Sequence, residues 1–280
     1  MAPKTLGSVV TVFFFPFEYD SSRFVIIFFQ SSGPLTRSLQ VALIDSQPVD
    51  RMELPHSTSS TPPEVRVSAI TPAAANLFKE VGAWDMVMSS HIGRFDRMQV
   101  WDSAGQGFVR YDAVDVQAPV LGYVVENKIL QGSLVSVLRR KKDSVALICP
   151  AKVVSVELPG TRRSPEDQDV KSSQMPGQSV THMGSSPASE DKEDKDARMA
   201  STHDWAKIVL ENGRTIHARL LVGADGSRSR VREMVGLRCV KVDYDQRAVI
   251  ATVGVESYHT TAWQRFLPTG PLALLPAVFS

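Results

Sequence analysis

The stretch that most limits how this chain can fold is residues 219–237, RLLVGADGSRSRVREMVGL. An apolar run enters Gly223-Ala224-Asp225-Gly226 and leaves as a short basic helix beginning near Ser229. That is the order of strand, tight turn and helix. Glycine lets a backbone turn sharply and come close to a ligand with no Cβ in the way. A helix start offers N–H groups and partial positive charge to an anion. Asp225 can then serve in either of two ways, accepting hydrogen bonds from ribose hydroxyls or holding the loop in shape. No serine occupies the strained position, so this is not the nucleophile elbow of a hydrolase.

A second acid follows a second short apolar run. Residues 38–48, SLQVALIDSQP, read as a buried strand ending in Asp45. In dinucleotide-binding folds an acid at the end of the second strand grips ribose hydroxyls, about 20 residues past a glycine-rich loop. Counting back from Asp45 leads into FVIIFF (24–29), with Gly33 the one glycine nearby. The gap between that run and the 41–45 strand is too short for a crossover, which needs at least about 10–12 residues including its helix. The second strand and its acid are therefore legible, while the phosphate loop and most of the first helix are missing. Taken alone, Asp45 is equally a turn residue. The apolar stretch 9–29 is broken by Pro16, Glu18, Asp20 and Arg23, so it lacks the roughly 20 uninterrupted apolar residues of a spanning helix. It fits neither a signal peptide nor an Arg-rich transit peptide. It reads as one or two buried strands, or as sequence foreign to the rest of the chain.

The intervening chain carries strong local signals. Thr71 and Pro72 open a helix over 70–84 that Gly82 can close. Residues 95–103 and 107–113 predict a hairpin. Ile129, Leu130, Leu134, Val137 and Leu138 fall on one face of a helix over 127–142, with basic residues at its C-terminal end, where the helix dipole favours them. Asn127 is either the cap of that helix or a cofactor contact, and Arg66 either a partner for pyrophosphate or a surface arginine. Residues 145–149 and 151–158 read as strands. Asn212-Gly213 marks a hairpin between 205–210 and 214–222. The polar run 159–202 is expected to be a disordered insertion that splits this meander. Beyond the opening motif, 247–256, 262–268 and 270–278 read as three more strands.

Composition narrows the function. The 280 residues are 43% hydrophobic and 22% charged, with a net charge of +1, which suits one large or two small globular domains and gives no basis for a nucleic-acid surface. Two cysteines, Cys149 and Cys239, form no disulfide framework and no metal-binding pair, and the six histidines have no ligand spacing.

RVSAITPAAANLFKEVGAWD, MQVWD, GYVVENKIL, LLVGADGSRSRVRE and AWQRFLPTGPLALLP together resemble the ubiquinone-biosynthesis branch of the aromatic-ring FAD monooxygenases, over most of 34–276 outside the insertion. The resemblance implies an α/β fold of the para-hydroxybenzoate-hydroxylase kind, a Rossmann-like FAD-binding domain interleaved with an antiparallel substrate sheet. It assigns 34–94, 120–158 and 203–240 to the FAD-binding domain and 95–119 and 241–280 to the substrate sheet, and sets 1–33 apart as an aberrant N-terminus. FAD is the implied cofactor, contacted by Asp45, Arg66, Asn127, Gly223, Asp225 and Gly226. Strands 95–113 and 247–276 would wall the substrate cavity. Reduced flavin and dioxygen would deliver an electrophilic oxygen to the ring of a polyprenylated hydroxybenzoate precursor; no side chain is named as base. The implied partners are that phenolic substrate, ferredoxin or NAD(P)H as reductant, and other ubiquinone-biosynthesis proteins. The implied place is the matrix side of the mitochondrial inner membrane, with peripheral contact only. Two family motifs lack a counterpart, the N-terminal glycine-rich loop and a distal Gly-Asp flavin motif. The chain is accordingly expected to be truncated at both ends and to bind FAD weakly or not at all. The alternative to a working enzyme is then a catalytically incompetent fragment, at most an interaction module in a biosynthetic complex.

Overall fold

The computed structural model describes residues 11–13, 39–48, 64–160 and 205–277. Its centre is a four-stranded parallel sheet. Strand β1 (Thr11–Phe13) lies between β12 (Leu220–Leu221) and β2 (Val41–Ile44), and β2 pairs in turn with β8 (Val145–Ile148). All four residues of β2 are buried, which explains why it reads as a continuous apolar run and not an alternating one. Alternate residues serve opposite faces. Val41 and Leu43 join one core, with Val145, Leu134 and Leu138. Ala42 and Ile44 join another, with Ile208, Ile216 and Val156. The sheet is thus the middle of three layers.

Helix α3 (Asn127–Arg140) supplies the first outer layer. The five apolar residues of its predicted face, Ile129, Leu130, Leu134, Val137 and Leu138, are all buried. Packed with it are α1 (Pro72–Glu80), α2 (Trp84–Met88) and a small antiparallel sheet in the order β3 (Val67–Ile70), β7 (Gly122–Glu126), β4 (Gly93–Phe95). Thr71 caps α1 as expected, its Oγ1 accepting from Ala74 N at 3.3 Å, and Gly82 closes the helix at a φ of +77°. The second outer layer is the antiparallel meander β9 (Val153–Glu157), β10 (Ala206–Leu210), β11 (Thr215–Ala218). Its β10–β11 turn is the anticipated Asn212-Gly213, with Gly213 at a φ of +78°. The insertion that splits β9 from β10 lies almost wholly outside the described residues.

A fourth sheet, β14 (Gly270–Leu274), β13 (Thr261–Leu267), β5 (Arg97–Asp102), β6 (Phe108–Asp112), carries the predicted 95–113 hairpin. Its outer pairs are antiparallel, but β13 and β5 run parallel, so the sheet is mixed. Trp101 and Trp263 meet edge-to-face across that central pair at 6.0 Å.

One expectation changes and one is met only in part by the described residues. Within the 9–29 stretch, expected to hold one or two buried strands, β1 at 11–13 pairs with β2; residues 24–29 lie outside the described residues. Residues 14–40 therefore separate β1 from β2, which is long enough for a crossover. The expected strand at 247–256 is not formed. Among the described residues no strand runs beside it, and Val249, Ile250, Val253 and Val255 are exposed. Alternation of apolar residues makes a strand only where a neighbour completes the hydrogen bonds.

Candidate functional site

Sheet order locates the site. From β1 the chain winds one way to β2 and β8, and later returns to the other side of β1 as β12. In open parallel sheets, ligands sit outside the carboxyl ends of the strands where the winding reverses, here between β1 and β12. Asp45 follows β2 directly, and Gly223–Gly226 follow β12 within two residues. Helix α3 reaches that same edge. It leads through a turn into β8 and packs on the sheet, so it runs against the strands and its N-terminus lies at their carboxyl ends.

Asp45 is 2% exposed. Its Oδ1 accepts from Gln47 N at 2.8 Å, and its main chain ties β2 to the β8–β9 connection through Ala151 N to Asp45 O at 2.7 Å. The acid is thus both a turn former and a buried carboxylate at the end of the second strand.

At the 223–226 turn the structure settles what Asp225 does locally. This carboxylate is 5% exposed. Oδ1 accepts a short hydrogen bond from Ser229 Oγ, and Oδ2 accepts from Val231 N at 3.0 Å. Ser229 Oγ in turn accepts from Arg232 N at 3.0 Å. The expectation that α4 (Arg230–Met234) offers unused N–H groups to an anion is therefore corrected: Asp225 and Ser229 take Val231 N and Arg232 N. Gly226 sits at a φ of +75°, which favours glycine. A Cβ on Gly223 would lie 3.1 Å from Val231 Cγ1, so glycine there brings the strand end close to α4.

Arg66 and Asn127 come together at the start of α3. Asn127 N donates to Arg66 O at 3.1 Å, and Ser68 Oγ donates to Asn127 Oδ1 at 2.6 Å. Asn127 is not the cap. Glu126 holds that position and makes no side-chain capping bond; Asn127 is the first helical residue. The side-chain acceptor comes from Glu64. Its Oε2 accepts from Lys128 N at 2.9 Å, and its Oε1 accepts from Arg66 Nε at 3.0 Å and Nη2 at 2.8 Å. Glu64 N donates to Glu126 Oε2 at 3.0 Å, which also meets Lys128 Nζ at 2.8 Å. Sequence reading missed Glu64. The signal was its place two residues before Arg66 in an extended segment, which puts both side chains on one side.

Val65 and Val67, on either side of Arg66, also line a cleft of about 430 Å³ with Val124, 249–253 and 271–277. Residues 249–253 and 271–277 fall within the 247–276 segment expected to wall a substrate cavity. None of 95–113 lines the cleft, because that hairpin lies on the far side of β13 in its sheet. Thr252, Tyr258 and His259 are its polar side chains, and His259 Nδ1 is 2.9 Å from Thr261 O. Among the described residues no cluster of His, Cys, Asp and Glu could hold a metal, and no helix is long and apolar enough to cross a membrane.

A dinucleotide fits this edge at two of its three contacts. Asp45 and the 223–226 backbone flank the switch point as such a ligand requires. The third contact does not match: β1 leads into Phe14-Phe15-Pro16-Phe17, with no glycine before Gly33, where a pyrophosphate loop needs close backbone approach.

The FAD binding domain family matches residues 183–268. Over 239 residues the chain is 31% identical to the ubiquinone biosynthesis monooxygenase COQ6, mitochondrial, of Mus musculus, which covers 85% of this chain and 42% of that relative. It is 28% identical over 215 residues to the 3-demethoxyubiquinol 3-hydroxylase of Escherichia coli, covering 76% of this chain and 44% of that one. The chain thus spans less than half the length of these relatives. In fold it is similar to 2-methyl-3-hydroxypyridine-5-carboxylic acid oxygenase in a mutant form, with a TM-score of 0.52 at 12% identity, over 96% of this chain and 56% of the other. Parallel strand order and the glycine-acid turn after β12 accompany a similarity in sequence, along most of the chain, to monooxygenases of ubiquinone biosynthesis.

Proposed function

We propose that this chain forms the FAD-holding part of a monooxygenase that hydroxylates the aromatic ring of a polyprenylated hydroxybenzoate precursor in ubiquinone biosynthesis. The observation that carries the reading is the β8-β2-β1-β12 order, which puts Asp45 and Gly223–Gly226 on either side of the switch point. Asp45 would hold the ribose, the 223–226 backbone would approach the dinucleotide, and Arg66 with Asn127 would meet it from the α3 side. Bound FAD would supply the activation of dioxygen. The protein's own part is to orient the ring and exclude water, and the cleft beside Arg66, with valine, leucine, alanine and proline side chains among polar groups, would take a phenol and part of its tail. On this reading 34–94, 120–158 and 203–240 belong to the FAD-binding domain, and 95–119 and 241–280 to the substrate sheet. The names of the relatives support a mitochondrial setting; the matrix side of the inner membrane, ferredoxin or NAD(P)H as reductant, and contact with other ubiquinone-biosynthesis proteins belong to the same proposal.

With no glycine in the stretch directly after β1, FAD affinity should be weak, roughly micromolar or above. Titration of FAD with the purified protein, followed by quenching of flavin fluorescence, tests this. Saturable binding that Asp45→Ala weakens supports the assignment. Folded protein with no FAD binding up to millimolar concentration sinks it. With FAD bound, reductant-dependent hydroxylation of a short-chain prenylated hydroxybenzoate, read by mass spectrometry, separates a working enzyme from an incompetent one.

A further inference from the structure

We propose that His259 recognises the hydroxyl of the substrate's phenol ring, accepting its hydrogen bond at Nε2 in the cleft of about 430 Å³ that His259 lines. This rests on the ring-hydroxylation reading above. The tautomer of the imidazole follows from its partner. His259 Nδ1 lies 2.9 Å from Thr261 O, and a carbonyl oxygen only accepts, so Nδ1 carries the proton. Nε2 of the neutral ring is then a bare acceptor. Among the described residues His259 makes no other hydrogen bond.

The other polar side chains of the cleft are less well placed. Thr252 and Tyr258 are exposed, Tyr258 at 61%, so a bond to either replaces one to water and gains little. His259 is half-buried, where a hydrogen bond counts for more and an unmatched acceptor costs more. The backbone around it is also held. Thr260 O accepts from Asp96 N at 3.0 Å and from Arg97 N at 3.3 Å, and Thr260 Oγ1 accepts from Arg97 Nη2 at 3.4 Å. Thr261, whose carbonyl fixes the imidazole, pairs with Arg97 at the start of β13. The imidazole is thus set before a ligand arrives, which spares the cost of ordering it on binding. Val65, Val67, Val124, Leu272 and Leu274 also line the cleft. Their side chains can cover a hydrocarbon tail but carry no acceptor for a hydroxyl.

The test compares 3-hexyl-4-hydroxybenzoate with 3-hexylbenzoate, which lacks only the hydroxyl. Binding to the purified full chain is measured by calorimetry without FAD, for wild type, H259L and H259Q, each at a temperature where it is folded. Wild type should bind the phenol about tenfold more tightly than the deoxy probe. In H259L that preference should vanish, with the deoxy probe within about twofold of its wild-type affinity. H259Q, whose amide oxygen can reach the place of Nε2, should restore part of the preference. Nitrogen-15 NMR of the wild-type imidazole should show Nδ1 protonated and Nε2 bare. A wild type with no preference overturns the role, as does a preference that survives in H259L. Equal loss of both probes in H259L overturns it too, since the histidine would then only shape the cleft. The opposite tautomer removes the acceptor and overturns it directly. Folded wild type that binds neither probe up to millimolar concentration overturns the cleft as the substrate site. The FAD titration is independent of this comparison, so failure of the cofactor reading and failure of the His259 role are read separately.

Discussion

Asp225→Ala is the substitution that most directly probes how the 223–226 turn works. The carboxylate accepts from Ser229 Oγ and from Val231 N, and both residues are under 10% exposed, at 7% and 6%. Alanine would leave two buried donors without their acceptor. A hydrogen bond to a charged acceptor contributes about 1.5–3 kcal/mol, so two give about 3–6 kcal/mol at most, and water entering the vacated space should bring the cost to about 3 kcal/mol. The loss should be local, because α4 has only five residues and is anchored to the meander side of the core mainly through Val231. In hydrogen exchange, about 3 kcal/mol corresponds to roughly a hundredfold faster exchange of the 231–235 amides. Asp225→Asn keeps one acceptor and should show about half that free-energy loss. FAD affinity should fall in the same order as the exchange protection, since the acid acts by shaping the turn. Unchanged exchange at 231–235 in the alanine variant would refute the capping account. So would an asparagine variant that loses FAD affinity tenfold with exchange and melting temperature intact, because the carboxylate would then be touching the ligand itself.

Other perturbations have equally definite outcomes. Leu134, 1% exposed on α3, should cost about 2–5 kcal/mol as alanine, read from urea unfolding, with a loss under 1 kcal/mol counting against its place in the core. Gly93→Ala would put a Cβ 1.9 Å from Pro276 O; this backbone clash should lower stability by about 1–3 kcal/mol and speed exchange around 275–277, whereas a neutral result would mean that β4 and the 275–277 segment do not meet. The Asp96 carboxyl is held below its ordinary 3.8, first by the hydrogen bond from Thr260 and next by Arg97. Its stabilising share is therefore present above about pH 4 and lost as pH falls through the lowered value. Thr260→Val should move the Asp96 titration upward in an NMR pH series; an unmoved titration would leave Arg97 as the cause.

Local features proved easy to read and pairings between distant segments did not. Thr71-Pro72 and Gly82 mark the ends of α1 because the cap and the left-handed residue are fixed by neighbours in sequence. The buried face of α3 follows from its spacing of apolar residues, and Asn212-Gly213 from the φ that its turn demands. The position of β1 was beyond such reasoning. FVIIFF has the stronger strand composition, yet Thr11–Phe13 takes the central place, and nothing local distinguishes them. Residues 247–256 alternate as a strand should, but strand formation depends on a neighbour that local sequence does not name. Asp45 and Asp225 were legible as candidates because each follows an apolar run. The cap of α3 was assigned to Asn127 by adjacency, whereas Glu64, some sixty residues earlier, supplies the side chain. A cap contributed from another segment leaves no pattern at the helix start.

The two helix starts at the carboxyl edge share a design with an electrostatic consequence. At α3 the first-turn N–H groups go to Arg66 O and Glu64 Oε2; at α4 they go to Asp225 Oδ2 and Ser229 Oγ. Each dipole end is met by a carboxylate of the protein, so neither offers a phosphate the half-charge that a bare helix N-terminus would. Attraction for an anion at this edge then falls to the backbone near Gly223 and Gly226 and to Arg66, whose guanidinium Glu64 already engages. Attraction through one arginine is directional and short-ranged compared with an exposed helix end. FAD binding should therefore depend steeply on Arg66 and little on the dipole of α4. Arg66→Lys, which keeps the charge but loses the fork, should recover only a small part of what Arg66→Ala removes. Full recovery by lysine would mean that net charge, not the guanidinium geometry, governs this edge.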